Sequence, residues 1–476
     1  MEDLLFAAID RALELGASYA EARYHRNANS SVIVRNEAVI GLGADVLDGV
    51  AIRVLVDGSL GFSSTNRLTR NSILSTVEEA VKKAKAAAAI VRRPIEFSEE
   101  RLGRASYEVV PKRPFDSMAV EEKIEYLRDL YRLSGDALKD AVVASFVAFW
   151  EEGVEEKAIV NSDGAFVRSK IPRLEVYHNI TLALDNQMMN RWEQHGASGG
   201  LEALDDWALQ EWIPHYATVM ERILAEAVQP PRERVDVVVG SEIVGLLVHE
   251  SCGHPSEADR VLGREAAQAG TSFMRPDMLG ERIGTDLVTV IDDPTIPGSY
   301  GFYLYDDEGV PARPRYLYRN GIINEHLHNR WTAKVYGVRS NASARANNYK
   351  GEPIVRMANT YFAPGDHSIE ELIEGVKFGV YIKTYQEWNI DDMRWGQRYV
   401  GQEAYLIENG RLTKMVKNPA LEITTKGFYS SVDAVGKDLS FEAGTCGKGE
   451  PGQGIPVWFG GPTVRIRNVP LGVVPQ

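Results

Sequence analysis

The chain has 476 residues, enough for about three domains at a typical 150 residues each. With 44% hydrophobic and 25% charged residues it has ordinary globular composition, which excludes a disordered chain, a collagen-like repeat and a disulfide-stapled miniprotein. A net charge of -14 argues against nucleic-acid binding, since phosphate contacts need a basic surface. No run approaches the ~18 apolar residues that span a bilayer. The acidic start Met1-Glu2-Asp3 is unlike a secretory leader, and two cysteines in so long a chain suit a reducing compartment. A cytoplasmic protein without membrane or nucleic-acid partners is expected.

Leu4, Leu5, Ala8, Ile9, Ala12 and Leu13 recur at helical spacing, and Gly16 follows as a stop. Strands are expected at Tyr19–Tyr24, Ser31–Arg35 and Val50–Val56, with Asp57-Gly58 as a turn, and then a helix from about Asn71 to Ala89. Residues 91–117, with Pro94, Pro111 and Pro114, read as a linker. The order then recurs as a divergent repeat: a helix at Val120–Leu138, strands near Val142–Glu151, Glu155–Asn161, Ala165–Ser169 and Leu174–Leu184, and a helix at about Asp205–Ala227. Pro230-Pro231 separates an N-terminal α/β domain, 1–228, from a β-rich C-terminal domain, 229–476. The N-terminal domain divides further into about 1–90 and 118–228 around the linker. Beyond the boundary, short apolar runs precede Asn320-Gly321 and Asn409-Gly410, which are hairpin signals. The expected class is α+β, a helix-strand-helix region followed by a larger, mostly β domain that carries one informative helix.

That helix follows the strand Val235–Val239. Gly240-Ser241 opens it, and Ile243, Val244, Leu246, Leu247 and Val248 make it apolar nearly all round. It ends in His249-Glu250-Ser251-Cys252-Gly253-His254-Pro255, and ionisable groups there are costly unless bound or paired. In the zinc-protease motif the histidines are four apart, about 40° around a helix; five apart they diverge by about 140°. Gly253 in a left-handed conformation, followed by Pro255, would end the helix and let His254 fold back towards His249. Glu250 stands where a general base for metal-activated water is usually found. A hydrolytic zinc takes three protein ligands. Two sulfurs are open for the third place. Cys252 lies three residues after His249, and Cys446 lies in the glycine-rich loop Gly444-Thr445-Cys446-Gly447-Lys448-Gly449, where Lys448 can favour the thiolate. That loop lacks the spacing and the Ser or Thr of a phosphate loop.

Three stretches together resemble the TldD/PmbA metalloprotease family, and its TldD branch in particular. They are His249 to Asp259, Tyr305-Asp306-Asp307-Glu308-Gly309, and Gly444-Thr445-Cys446-Gly447-Lys448 continuing to Gly461-Pro462-Thr463-Val464-Arg465-Ile466. The resemblance covers nearly the whole chain. It implies a zinc peptidase with His249, His254 and Cys446 as metal ligands and Glu250 as catalytic base, acting on unfolded or small peptides. It also implies a heterodimer with a paralogue of the PmbA (TldE) type, the alternative being a homodimer. The stretch Gly449-Glu450-Pro451-Gly452-Gln453-Gly454 departs from the family by its length.

Glu257, Asp259 and Lys448 are candidates to orient a ligand or to receive a substrate terminus. Asp292-Asp293-Pro294 and Asp306-Asp307-Glu308-Gly309 sit at turn signals and read as turns or solvated loops rather than cation sites. His326 and His328 share a strand face and read as surface or packing residues. Trp388, Trp395 and Tyr399 are candidates for a peptide groove or for core packing. The rival readings are a metal-free peptide-binding or modulator protein on the same fold, and a thiol enzyme using Cys446 with a histidine.

Overall fold

The computed structural model describes residues 1–449 and 451–473, so of the departing stretch Gly449 to Gly454 only Glu450 lies outside the described residues. Helix α1 (Glu2–Glu14) buries Leu5, Ala8, Ile9 and Ala12, and the chain turns at Gly16 with φ +92°. Strands β1 (Tyr19–Arg35) and β2 (Ala38–Val56) form one long hairpin, and β3 (Ser59–Thr65) and α2 (Arg70–Ala88) follow. The expected break between Tyr24 and Ser31 does not occur. Asn27 pairs with Leu47 on one side and Glu155 on the other, and its side-chain amide donates to the Asn347 carbonyl at 2.9 Å. The stretch is half-buried, and Ser30 likewise finds a polar partner, donating to Glu152 at 3.1 Å.

The linker contains a strand, β4 (Arg104–Glu108). Helix α3 (Val120–Asp136) precedes β5 (Val142–Asn161), β6 (Phe166–Leu184) and β7 (Gln187–Ser198), then α4 (Ala203–Trp207) and α5 (Leu209–Glu226). β5 and β6 each absorb two of the expected strands, and β7 was not expected at all. Its inward positions include Arg191 and Glu193, so alternation is present but is written in charges. The sheet order is β3-β2-β1-β5-β6-β4, with β7 also on β6. The β1–β5 pairing fuses the two helix-strand-helix halves into one sheet, yet each keeps its own apolar cluster. One joins α1 and α2 to β1–β2 through residues such as Leu5, Val54 and Val77. The other joins α3 and α5 to β5–β6 through Leu127, Phe146, Trp150 and Met220.

Beyond residue 230 the chain builds a nine-stranded and a six-stranded sheet. Strand β8 (Arg234–Val239) lies inside the nine-stranded sheet, parallel to Phe378–Ile382 and antiparallel to Val464–Val473. At the edge of this sheet the strand Tyr385–Ile390 forms a hairpin with Gly396–Gly401. In the six-stranded sheet the edge strand Ser440–Lys448 pairs with Gln453–Gly461. The glycine-rich segment around Cys446 is therefore strand, not loop. Helix α6 (Ser241–Val248) follows β8 and packs against Gln453–Gly461, which it approaches closely because glycines meet at the crossing. A Cβ on Gly245 would stand 3.0 Å from the Gly460 backbone. Both hairpin signals hold, with Asn320-Gly321 and Asn409-Gly410 in left-handed conformations.

The acidic turns are not solvated. Asp306 accepts from the Glu308 and Val310 amides, as a turn residue does, but Asp306, Asp307 and Glu308 are all buried. Glu308 takes Arg53 of β2 at 2.8 Å and the Arg330 amide at 2.7 Å, and Asp307 takes Lys157 of β5 at 3.1 Å. Asp292 pairs with buried Arg315. The turn at 306–309 is thus an ionic joint between the two halves of the chain. Removing one member strands the other charge in the interior. Glu308→Ala is expected to destabilise the protein by about 3–5 kcal/mol, read as a lower urea midpoint.

Candidate metal centre

Helix α6 does not end at Gly253. Its last turn widens: the His254 amide donates to the His249 carbonyl, five residues back, which makes His249–Gly253 a π turn. Gly253 has φ -60°, so it is right-handed, contrary to the expected left-handed cap. The wider turn brings residues five apart round to the same side, and the two imidazoles lie with centroids 5.0 Å apart. Gly253 serves a different need. A Cβ there would stand 1.9 Å from Met357 Sδ. Groups released by the widening find partners, since Tyr318 donates to the Ser251 carbonyl at 3.3 Å and the Ser251 hydroxyl to Leu247 O at 2.7 Å.

Cys446 comes in from the other sheet. Its Sγ lies 3.5 Å from His254 Nε2, and His249, His254 and Cys446 offer one donor atom each within 4.8 Å of one another. All three residues are buried. Burial pushes the Cys446 thiol up, but His254 and then Arg356 outweigh it and hold the thiol below its ordinary value. Arg356 also donates to the Cys446 carbonyl at 2.5 Å. Burial lowers both imidazoles, against the opposing pull of Glu250 on His249 and of Cys446 and Glu257 on His254. Cys252 points elsewhere. It is buried in the apolar core near Tyr318 and Ser256, and burial drives its thiol well above the usual range.

His254 is oriented from behind. Its Nδ1 lies 3.1 Å from Glu257, which also pairs with Arg260 at 3.1 Å and Lys448 at 3.5 Å. Lys448 pairs with Asp259 at 2.7 Å. The lysine therefore neutralises the carboxylates behind the histidine, and the expected support of the thiolate comes from His254 and Arg356 instead. Buried Glu257 is held well below the usual carboxylate range because Lys448 and His254 outweigh the cost of burial. Neither Glu257 nor Asp259 is exposed to receive a substrate terminus.

A cavity of about 270 Å³ opens over the group, lined by His249, Glu250, His254 and Cys446. Trp192, Leu246, Tyr385, Trp388 and Phe459 give it an apolar side. Glu250 is ion-paired with Arg394, from the turn that links Tyr385–Ile390 to Gly396–Gly401. Of the expected groove aromatics only Trp388 lines the cavity. Trp395 packs on Phe273 with centroids 5.1 Å apart, and Tyr399 is in the core. Arg394, Trp192 and Tyr385 were not expected. Trp192 sits on the unexpected strand β7, and nothing in the local sequence marks Arg394.

His326 and His328 pack with Tyr336 in the interior rather than at the surface. A second close group, His178, Glu193 and His195, spans β6 and β7. Its carboxylate already accepts from Arg191 at 2.6 Å and Trp212 at 2.9 Å, and Arg191 continues to Glu242 at the start of α6. That group is a hydrogen-bonded bridge from the first sheet to the helix.

Family descriptions for PmbA/TldA metallopeptidases match in three consecutive parts. Domain 1 matches residues 20–88, the central domain residues 113–229 and the C-terminal domain residues 232–472. A metalloprotease of Methanocaldococcus jannaschii is 31% identical over 457 residues, 96% of this chain and 97% of its own. The chain belongs to the PmbA/TldD metallopeptidase family. It is a metallopeptidase, as its relatives are. A Saccharolobus solfataricus relative named a zinc metalloprotease TldD homolog is 26% identical over 98% of this chain and 99% of its own. The TldE structure from Thermococcus kodakarensis has the same fold, with TM-score 0.78 and 18% identity over 98% of this chain and all of that one. Among the described residues no helix is long and apolar enough to cross a membrane.

The Gly253–Met357 contact yields a test. The backbone of Gly253 suits alanine, so Gly253→Ala acts only through the collision with Met357. Overpacking of this kind costs about 1–3 kcal/mol, and here it should also push the two histidines apart and lower metal occupancy. Adding Met357→Ala should restore much of the occupancy, a coupling that a double-mutant cycle of metal content reads directly.

Proposed function

We propose that the protein is a zinc peptidase acting on unfolded or small peptides, with His249, His254 and Cys446 holding the metal and Glu250 as general base. The observation that carries this reading is the convergence of two imidazoles and a thiol on the wall of a cavity that also holds a carboxylate. The donor set fits zinc. Around a tetrahedral ion with typical bond lengths, sulfur and nitrogen are about 3.5 Å apart, and Cys446 Sγ and His254 Nε2 stand at 3.5 Å. A carboxylate behind the imidazole, here Glu257, is the usual support for a ligating histidine. Bound zinc supplies a Lewis acid that polarises the scissile carbonyl and lowers the pKa of its water towards about 7.

Glu250 takes the proton of the attacking water and returns it to the leaving amine. The apolar side of the cavity receives a substrate side chain, and the small volume admits an extended chain rather than a folded domain. The working assembly is a pair, with a paralogue of the PmbA/TldE type or with a second copy, in the cytoplasm. The catalytic part is residues 229–476, on a separate N-terminal domain of residues 1–228.

Glu250→Ala should abolish hydrolysis of an unfolded polypeptide while zinc stays bound. His249→Ala, His254→Ala and Cys446→Ser should lose both, and Cys252→Ser should lose neither. Near-normal peptidase activity in Glu250→Ala, or zinc retained by Cys446→Ser and lost by Cys252→Ser, overturns the assignment. Zinc content per chain, measured by elemental analysis beside the peptidase assay, decides each case. Removing zinc with a chelator should lower hydrogen-exchange protection more in residues 229–476 than in residues 1–228, because the proposed ligands tie α6 to the strand Ser440–Lys448.

A further inference from the structure

Arg394 is the one lysine or arginine among the residues lining the cavity. One of its amino groups, Nη1, is spent on Glu250, and its Nε is buried without a partner. Buried donors are rarely left unpaired, and those that are often mark a functional site. The backbone adds a second, independent sign. Arg394 has φ +64°, a left-handed conformation that a long L side chain seldom adopts. The turn is pinned there. Asp391 accepts from the Trp395 amide at 2.8 Å and the Gly396 amide at 2.7 Å, and Thr425 donates to the Arg394 carbonyl at 2.8 Å. Strain of this kind persists only where the surroundings hold it, and it gathers at working sites. The side chain is only 12% exposed, so its charge acts in a poorly hydrated space.

We propose that Arg394 is a catalytic residue of peptide hydrolysis: its guanidinium both aligns the Glu250 carboxylate and donates to the oxyanion that forms on the scissile carbonyl. This rests on the reading of Glu250 as general base. In the first step the water oxygen bonds to the carbonyl carbon, the water proton passes to Glu250, and the carbonyl π pair moves onto oxygen. The charge that appears there is what Arg394 meets. In the second step that pair re-forms the C=O bond, the C–N bond breaks, and Glu250 delivers its proton to the departing nitrogen. The guanidinium neither gains nor loses a proton. Its charge is fixed before reaction begins, which is the condition under which such donors help most. The arrangement also explains why an arginine stands beside a carboxylate meant to accept a proton. One Nη donor fixes the orientation of the base, and the planar fork leaves other N–H groups free for a second oxygen.

The test uses the zinc-loaded protein in the assembly that hydrolyses an unfolded polypeptide. For Arg394→Gln we expect kcat to fall about 100- to 1000-fold, the usual effect of removing one oxyanion donor, with little change in KM and unchanged zinc content. Arg394→Lys keeps the charge but not the fork, and should recover part of the loss. It also carries the test if the glutamine variant does not fold. A phosphinic peptide, which imitates the tetrahedral adduct, should lose affinity in parallel with kcat/KM, whereas an uncleavable amide peptide should bind as before. A merely structural role would not separate those two ligands. Arg394→Gln with kcat within tenfold of the parent, an effect confined to KM, or loss of zinc overturns the proposal. Glu250→Ala and Cys446→Ser run alongside. If both are inactive while Arg394→Gln is not impaired, only the role of Arg394 falls. If either retains hydrolysis, the reading of the site falls and this proposal with it.

Discussion

The hydrogen bond from the His254 amide to the His249 carbonyl is the contact on which the site is built. An ordinary α-helical turn would send these side chains about 140° apart. Widening it by one residue sets both imidazoles on the cavity wall and leaves Glu250 beside them. The widened turn survives because its surroundings were made for it. Tyr318 and the Ser251 hydroxyl take up backbone carbonyls, Gly253 leaves room for Met357, and α6 is buried on every side.

A buried helix end carrying two imidazoles and three carboxylates also needs charge balance. Glu257 and Asp259 face Arg260, Lys448 and Arg356, while Glu250 faces Arg394. The first group lies behind His254 and orients it. The second lies at the cavity. This division separates a fixed electrostatic framework from groups that line the cavity. The chain brings these partners from distant segments, so the site depends on both C-terminal sheets being in place.

Much of this was legible in the residues, for identifiable reasons. The apolar run Ile243–Val248, the Asn-Gly hairpins and the helix-strand-helix opening follow from local periodicity and turn chemistry, which act over a few residues. Cys446 was one of two open sulfurs on the residues alone, and the family resemblance pointed to it. The misses have physical causes. Asn27 and Ser30 are polar yet stay in a strand, because their side chains find partners in the Asn347 carbonyl and Glu152. Strand β7 turns Arg191 and Glu193 inwards, so its alternation carries no apolar signal. Gly253 sits where left-handed glycines are common, and only the position of Met357, about a hundred residues on, shows that small size was what mattered. Asp306 to Glu308 was read as exposed because its cations, Arg53 and Lys157, lie far away in sequence. Arg394 reaches Glu250 across 144 positions and has no local signature.

The placement of Cys446 has a consequence for the order of events during synthesis. Contacts between residues far apart in sequence form late, and a chain made from its N-terminus folds its early parts first. His249 and His254 leave the ribosome long before the strand Ser440–Lys448, which must still pair with Gln453–Gly461 to bring the thiol into line. The three-cornered group therefore closes only after synthesis has passed Gly461. A nascent or prematurely terminated chain that stops short of the strand Ser440–Lys448 lacks the last corner, whatever the state of the helix that carries the two histidines.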